Sequence, residues 1–272
     1  MDKAIIKILK ENDSTNLNWF ANIGEETIKL QQYFRHIGID EKSINNLTNE
    51  AIKIIRKCSN PQQYSSNNTG LVFGYVQSGK TMSFTSLATL AKDNDFQIVI
   101  IIAGVTTNLV AQSTNRLVKD LQLNNRSDRQ WLAIPNPKSN EDKNNIISAL
   151  KEWKDPSFPK IKRKTILITV MKQKNHLPNL IELLDNIDLE RVPTLIIDDE
   201  GDQASMNTFA KANARNKSGN VFNEEQISTI YRHINNLKSV LPHHTFIQYT
   251  ATPQAPLFIH MMDNLSPNFV EL

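Results

Sequence analysis

The chain has 272 residues, with 31 Lys and Arg against 28 Asp and Glu, a formal charge of +3 and one cysteine. That length suits one large domain or a domain with an appendage, and so mild a basic excess does not by itself indicate a polyanionic partner. Lone Cys58 excludes an internal disulfide and a thiolate metal cluster, no apolar run reaches the roughly 20 residues of a spanning helix, and the start lacks a signal-peptide core. A cytoplasmic protein without membrane association is expected.

Residues 1–62 carry helical periodicity and almost no strand signal. Ile23, Ile28, Leu30, Phe34 and Ile37 mark one helix region, and Ile44, Leu47, Ala51, Ile54 and Ile55 mark another after Asp40. They are expected to form a small helical appendage. A polar, turn-rich stretch from Ser59 to Gly70, with Pro61, supplies the boundary to a main domain of residues 63–272.

That domain opens on Leu71 to Thr81, Leu-Val-Phe-Gly-Tyr-Val-Gln-Ser-Gly-Lys-Thr, which contains G-x-x-x-x-G-K-T. Gly74 and Gly79 let the backbone wrap closely round a polyphosphate, Lys80 reaches the β and γ oxygens, and the Thr81 hydroxyl can ligate Mg²⁺. The setting is a short apolar strand, then the loop, then Phe84, Leu87, Ala88 and Ala91 at helical spacing. A helix N-terminus facing an anion is the context this motif requires. ATP and Mg²⁺ are the cofactors expected.

The chain then alternates between strand and helix signals, as a parallel α/β sheet should. Gln97 to Ala103 is a β-branched run expected as a central strand buried on both faces. Gly104-Val-Thr-Thr-Asn108 follows. Thr106, Thr107 and Asn108 either offer donors to a nucleic-acid phosphate or merely cap the next helix, which runs through Leu109, Val110, Leu117, Val118 and Leu121.

Asn124 to Lys164 is polar and interrupted by Pro135, Pro137, Pro156 and Pro159. It reads as a surface insertion with one amphipathic helix between Glu141 and Trp153. Its basic end, Lys160 to Lys164, is either a nucleic-acid contact or a solvated edge. Glu152-Trp-Lys154 has the E-x-K spacing of many Mg²⁺-dependent nucleases, but its helical setting argues against that chemistry.

Thr165 to Met171 is the next strand, and Lys172 stands at its carboxyl end, where open α/β sheets place ligands. A nucleic-acid contact is therefore expected of Lys172. After a helix through Leu180, Ile181, Leu183 and Leu184 comes Pro193-Thr-Leu-Ile-Ile-Asp-Asp-Glu-Gly-Asp202. An apolar strand ending in acids downstream of a P-loop is how a nucleotide hydrolase positions Mg²⁺ and its attacking water. Asp199 is expected to hold the metal and Glu200 to polarise the water. Asp198 is the alternative metal residue, because sequence does not decide which carboxylate leaves the strand on the active side.

Ala204 to Asn223 reads as a loop, and helical spacing resumes through Ile227, Ile230, Tyr231, Ile234 and Leu237. Thr245 to Pro253 is a last strand, with hydroxyls at Thr250 and Thr252 able to report a γ-phosphate to the acids. Leu257, Phe258, Met261 and Met262 suggest a short final helix. The six histidines show no metal spacing, and His243-His244 are placed in the turn before that strand.

The order of these motifs resembles motifs I, Ia, II and III of superfamily 2 helicases. More closely, Val76-Gln-Ser-Gly-Lys-Thr81, Ile102-Ala-Gly104 with Leu109 and Gln112-Ser-x-x-Arg116, Ile197-Asp-Asp-Glu-x-Asp-Gln-Ala-Ser205 and Tyr249-Thr-Ala-Thr-Pro253 resemble the Z-one domain family. This is a group of helicase-like ATPases, often labelled endonucleases, of bacterial restriction and phage-defence systems. The resemblance covers roughly residues 65 to 260. It implies a RecA-like P-loop fold in which the motif III strand lies between the P-loop strand and the acidic strand.

By the same resemblance, Gln77, Ser78, Lys80 and Thr81 face the phosphates and metal, Asp199 and Glu200 serve metal and water, and Asp202 links to Thr250 and Thr252. The implied function is the ATP-binding first motor domain of a nucleic-acid-dependent ATPase, with DNA as polymer. The alternative is an ATP-dependent switch that gates a partner nuclease without translocation. The chain stops at Leu272 just past motif III, so a second motor domain is absent from it and weak turnover of this piece alone is expected.

Overall fold

The computed structural model describes residues 19–73, 79–104, 107–128, 130–199, 229–250 and 267–271. At its centre is a parallel sheet with strands β1 (Asn67–Phe73), β2 (Ile98–Ala103), β3 (Trp131–Pro135), β4 (Thr165–Met171), β5 (Thr194–Asp199), β6 (His244–Thr250) and β7 (Phe269–Glu271). The seven strands lie in the order β3-β4-β2-β5-β6-β1-β7. The α/β fold expected from the alternating pattern is what the chain adopts. β6 sits between β1 and β5, with Asp199 opposite Tyr249 and Thr250 opposite Phe73. The P-loop strand and the acidic strand are thus separated by the strand that carries Thr250, as the motif resemblance implied.

Among the described residues, seven α-helices pack on the sheet or on one another: α1 (Glu25–His36), α2 (Glu41–Lys57), α3 (Gly79–Asp93), α4 (Thr107–Asp120), α5 (Asn140–Lys154), α6 (His176–Asp185) and α7 (Thr229–Ser239). Because side chains alternate along a strand, each face has its own core. On one face Ile100, Ile102, Ile168, Ile196 and Phe246 pack against α5, α6 and α7. On the other, Val99, Ile101, Leu195, Ile197 and Tyr249 pack against α2, α3 and α4. β2, β4 and β6 are buried along their whole length, which is why β2 and β4 read as nearly continuous apolar runs rather than alternating ones.

The N-terminal helices are part of this packing. Ala51, Ile54, Ile55 and Cys58 belong to the same core as the P-loop helix and β2, so the boundary at residue 62 does not separate two cores. Asp40 caps α2 by accepting from the Ser43 amide at 2.9 Å. α1 starts at Gly24 with no side-chain cap of its own. Asp93, at the end of α3, substitutes by accepting from the amides of Gly24, Glu26 and Thr27 at 3.0, 3.0 and 2.9 Å. A helix start that looks uncapped in sequence is therefore satisfied from a distant element.

A buried polar latch completes this docking. Glu26 accepts from Trp131 Nε1 at 2.6 Å and from Arg126 at 2.6 and 2.7 Å. Burial alone would raise its carboxyl, but the Arg126 and Trp131 hydrogen bonds hold it below the usual range. A cavity lined in part by Glu26, Lys29, Asp120, Arg126 and Asp128 lies at the latch and includes no strand-end residue.

Two sequence expectations change. Residues 124–164 are not a surface insertion: Trp131–Pro135 is a sheet strand, and Ile146, Ala149 and Leu150 of α5 lie in the core. Pro135 looked like a breaker, but β3 is an edge strand, where a missing N–H costs no ladder bond. β7 was not expected at all. It adds to the other edge, and Gly70 is required there because a Cβ on it would stand 2.2 Å from the Phe269 ring. Among the described residues, no helix is long and apolar enough to cross a membrane. The expected final helix at Leu257 to Met262 and the loop at Ala204 to Asn223 lie outside the described residues.

Candidate nucleotide site

All strands run the same way, so their carboxyl ends share one edge of the sheet, and of the residues expected from sequence Lys80, Thr81, Asp199 and Thr250 are placed along it. Gly79 opens α3, Lys80 and Thr81 follow in its first turn, and Asp199 ends β5. Lys80 Nζ lies 3.7 Å from Asp199 Oδ1, with the two side chains 12% and 15% exposed. Lysine and carboxylate therefore face each other across the gap between β1 and β5.

β5 separates its two aspartates by simple alternation. Asp199 shares the parity of Ile197 and points to the α3–α4 face. Asp198 shares the parity of Ile196 and points the other way. There it is fully buried, 2.5 Å from Lys172 Nζ, which also donates to the Asp199 carbonyl at 3.0 Å. Of the two metal candidates, Asp199 is the one beside the P-loop lysine.

Lys172 requires a correction. Its side chain is buried and neutralises Asp198, so it is not available to a polymer backbone. The strand-end rule located it properly, but burial gave it an internal partner. Thr250 ends β6 and is also buried. Gln248, two residues earlier and opposite Asp198, is buried with neither amide atom hydrogen-bonded among the described residues.

α4 supplies two residues that sequence reading gave no role. Ser113 Oγ donates to Asp199 Oδ2 at 3.5 Å, and Arg116 Nη1 donates to Thr81 Oγ1 at 3.3 Å. They stand three apart, on one helical face with Leu117, which is buried against the sheet. That spacing was the available signal. Beneath the P-loop helix, Tyr249 packs edge-on against Phe84 and shares a hydrogen bond with Ser83 at 3.3 Å. Burial pushes its phenol well above the usual range, so it stays protonated.

Thr107 and Asn108 form the first turn of α4. Gly74, Gln77, Ser78, Thr106, Glu200, Asp202 and Thr252 lie outside the described residues. Glu152 and Lys154 bond to Lys164 and Asp188 respectively, which makes them surface ties of α5 rather than a nuclease pair.

The described residues fit Mg²⁺. It needs hard oxygen ligands and keeps several waters, so one hydroxyl and one carboxylate would suffice from the protein, and Thr81 and Asp199 are the residues that would hold it. When bound, the ion supplies positive charge against the phosphate oxygens. Among the described residues there is no cluster of three or more His, Cys, Asp or Glu placed to hold a metal.

No family model matches the chain, and neither does any curated protein. Among solved structures it is similar to the DUF1998 helicase MrfA bound to DNA and AMPPNP, at 12% identity and TM-score 0.46 over 92% of the chain. The same helicase bound to DNA gives 13% identity and TM-score 0.47. A DEAD box protein from the hyperthermophile Methanococcus jannaschii gives 14% identity and TM-score 0.42 over 87% of the chain. The chain spans 30% of the length of MrfA and 55% of that of the DEAD box protein.

Proposed function

We propose that this chain is an ATP-binding, ATP-hydrolysing domain of a helicase-like, nucleic-acid-dependent ATPase. The observation that carries the reading is the meeting of Lys80 and Asp199 at 3.7 Å on the carboxyl edge of a parallel sheet, with β6 between β5, which ends in Asp199, and β1, which precedes the Lys80 helix. Lys80 and Thr81 bind the β and γ phosphates and orient the metal ligand field. Asp199 holds the metal side of the site, and Glu200, next in the chain, is assigned to the attacking water. Ser113 and the Lys172 bond to the Asp199 carbonyl keep the carboxylate aimed at the P-loop. The use of DNA as polymer and a role in phage defence or restriction rest on the motif resemblance.

The test is ATP hydrolysis by the purified chain and by the longest natural version of it, with and without single- and double-stranded DNA or RNA. The expected result is Mg²⁺-dependent hydrolysis that a polynucleotide stimulates and that Lys80→Ala abolishes. Hydrolysis that no polymer stimulates removes the motor reading and leaves a nucleotide-dependent switch. Absence of nucleotide binding removes both.

A further inference from the structure

α4 brings a second cation to the nucleotide site. Arg116 is part-buried, and Thr81 Oγ1, 3.3 Å from its Nη1, is its one hydrogen-bond partner among the described residues. A guanidinium has five N–H donors and keeps its charge throughout the pH range of proteins, so a neutral hydroxyl leaves most of its capacity unused. No carboxylate among the described residues forms an ion pair with it. Asp120, one turn further along α4, feels its charge without contact, and burial holds that carboxyl above its usual range. Beside Thr81, then, the described side chains comprise two cations, Lys80 and Arg116, and one carboxylate, Asp199.

We propose that Arg116 binds the terminal phosphate of a nucleoside triphosphate in cis, making the site discriminate triphosphate from diphosphate. This rests on the nucleotide reading above. In the nucleotide reading the Thr81 hydroxyl would hold the metal, whose positive charge would act on the outer phosphates. A guanidinium bonded to this hydroxyl therefore stands beside the outer phosphates. Its planar fork matches phosphate oxygens in a way a lysine ammonium does not. Ser113, one turn earlier, bonds Asp199, so α4 is tied at two points to the residues it serves. A diphosphate lacks the γ-phosphate oxygens that Arg116 would bind.

The experiment is calorimetric titration of the full 272-residue chain with Mg²⁺-AMPPNP and with Mg²⁺-ADP, for the unmodified protein, Arg116→Gln, Arg116→Lys and Lys80→Ala. Arg116→Gln is expected to weaken AMPPNP about tenfold or more while ADP changes less than about twofold, with Arg116→Lys between. If Arg116 only ties α4 to α3, the melting temperature drops and the two affinities move together; that unchanged ratio overturns the proposal. Should Arg116→Gln not fold, the ratio for Arg116→Lys decides by the same criterion. If the unmodified chain binds neither nucleotide, the underlying reading fails. If it binds both, Lys80→Ala weakens both and the ratio is untouched at Arg116, only the present proposal fails.

Discussion

Asp198 and Asp199 are consecutive residues of β5, yet one belongs to the interior and the other to the strand-end site. Asp198 is fully buried against Lys172, and its charge is settled within the fold. Asp199 lies on the opposite face, partly exposed, with a 3.7 Å approach from Lys80 and a 3.5 Å hydroxyl contact from Ser113 among the described residues. The difference teaches that a run of acids after an apolar strand is not one functional unit. Strand alternation sends one carboxylate to the internal lysine Lys172 and leaves the other on the face of Lys80.

The comparison breaks most visibly in stability. Lys172→Met strands a buried carboxylate and is expected to cost about 3–5 kcal/mol, measured by denaturant unfolding. Adding Asp198→Leu should recover most of that loss, since a well-packed apolar pair often equals a buried ion pair. Asp199→Asn should shift the unfolding free energy by less than about 1 kcal/mol, yet weaken Mg²⁺-nucleotide binding about tenfold or more. If Asp199→Asn proves the more destabilising change, the division of roles is wrong.

A pH series then tests whether the two edges of the sheet titrate separately. At the amino edge, His244 is buried, its Nδ1 placed 2.7 Å from the Leu241 carbonyl, and burial lowers its pKa from 6.5 to about 4. Below pH 6.5 the unfolded chain takes up a proton that the folded chain refuses until about pH 4. Stability is therefore complete above 6.5 and lost as pH falls through that window, by on the order of 3 kcal/mol. His244→Asn should flatten the loss; if the slope persists, it originates in other groups, among them His243, which burial also lowers.

The smallest effect is the most discriminating. Gln248 lies beside Asp198 with its amide unsatisfied among the described residues, so Gln248→Met should stabilise the protein by about 1–2 kcal/mol. A destabilised variant, or one that loses nucleotide binding, would instead show that the amide has a ligand or partner to serve.

Much of the fold was legible because it depends on local chemistry. The β-branched runs at β2, β4 and β5, the Asp40 cap of α2 and the P-loop between strand and helix are each written within a few residues. β3 and β7 were not legible. An edge strand needs only one buried face, tolerates Pro135, and at Phe269 owes its place to the missing Cβ of Gly70.

By itself, the sequence determined that a G-x-x-x-x-G-K-T stretch and an acidic strand end exist, because both are patterns of residue types within a few positions of one another. Only the tertiary structure decided which aspartate meets the lysine, that Lys172 is an internal counter-ion, that Asp93 caps α1, and that Arg116 reaches Thr81. Each of those outcomes pairs groups far apart in the chain. Which pairs form is set by strand order, face and burial, quantities that no local pattern encodes.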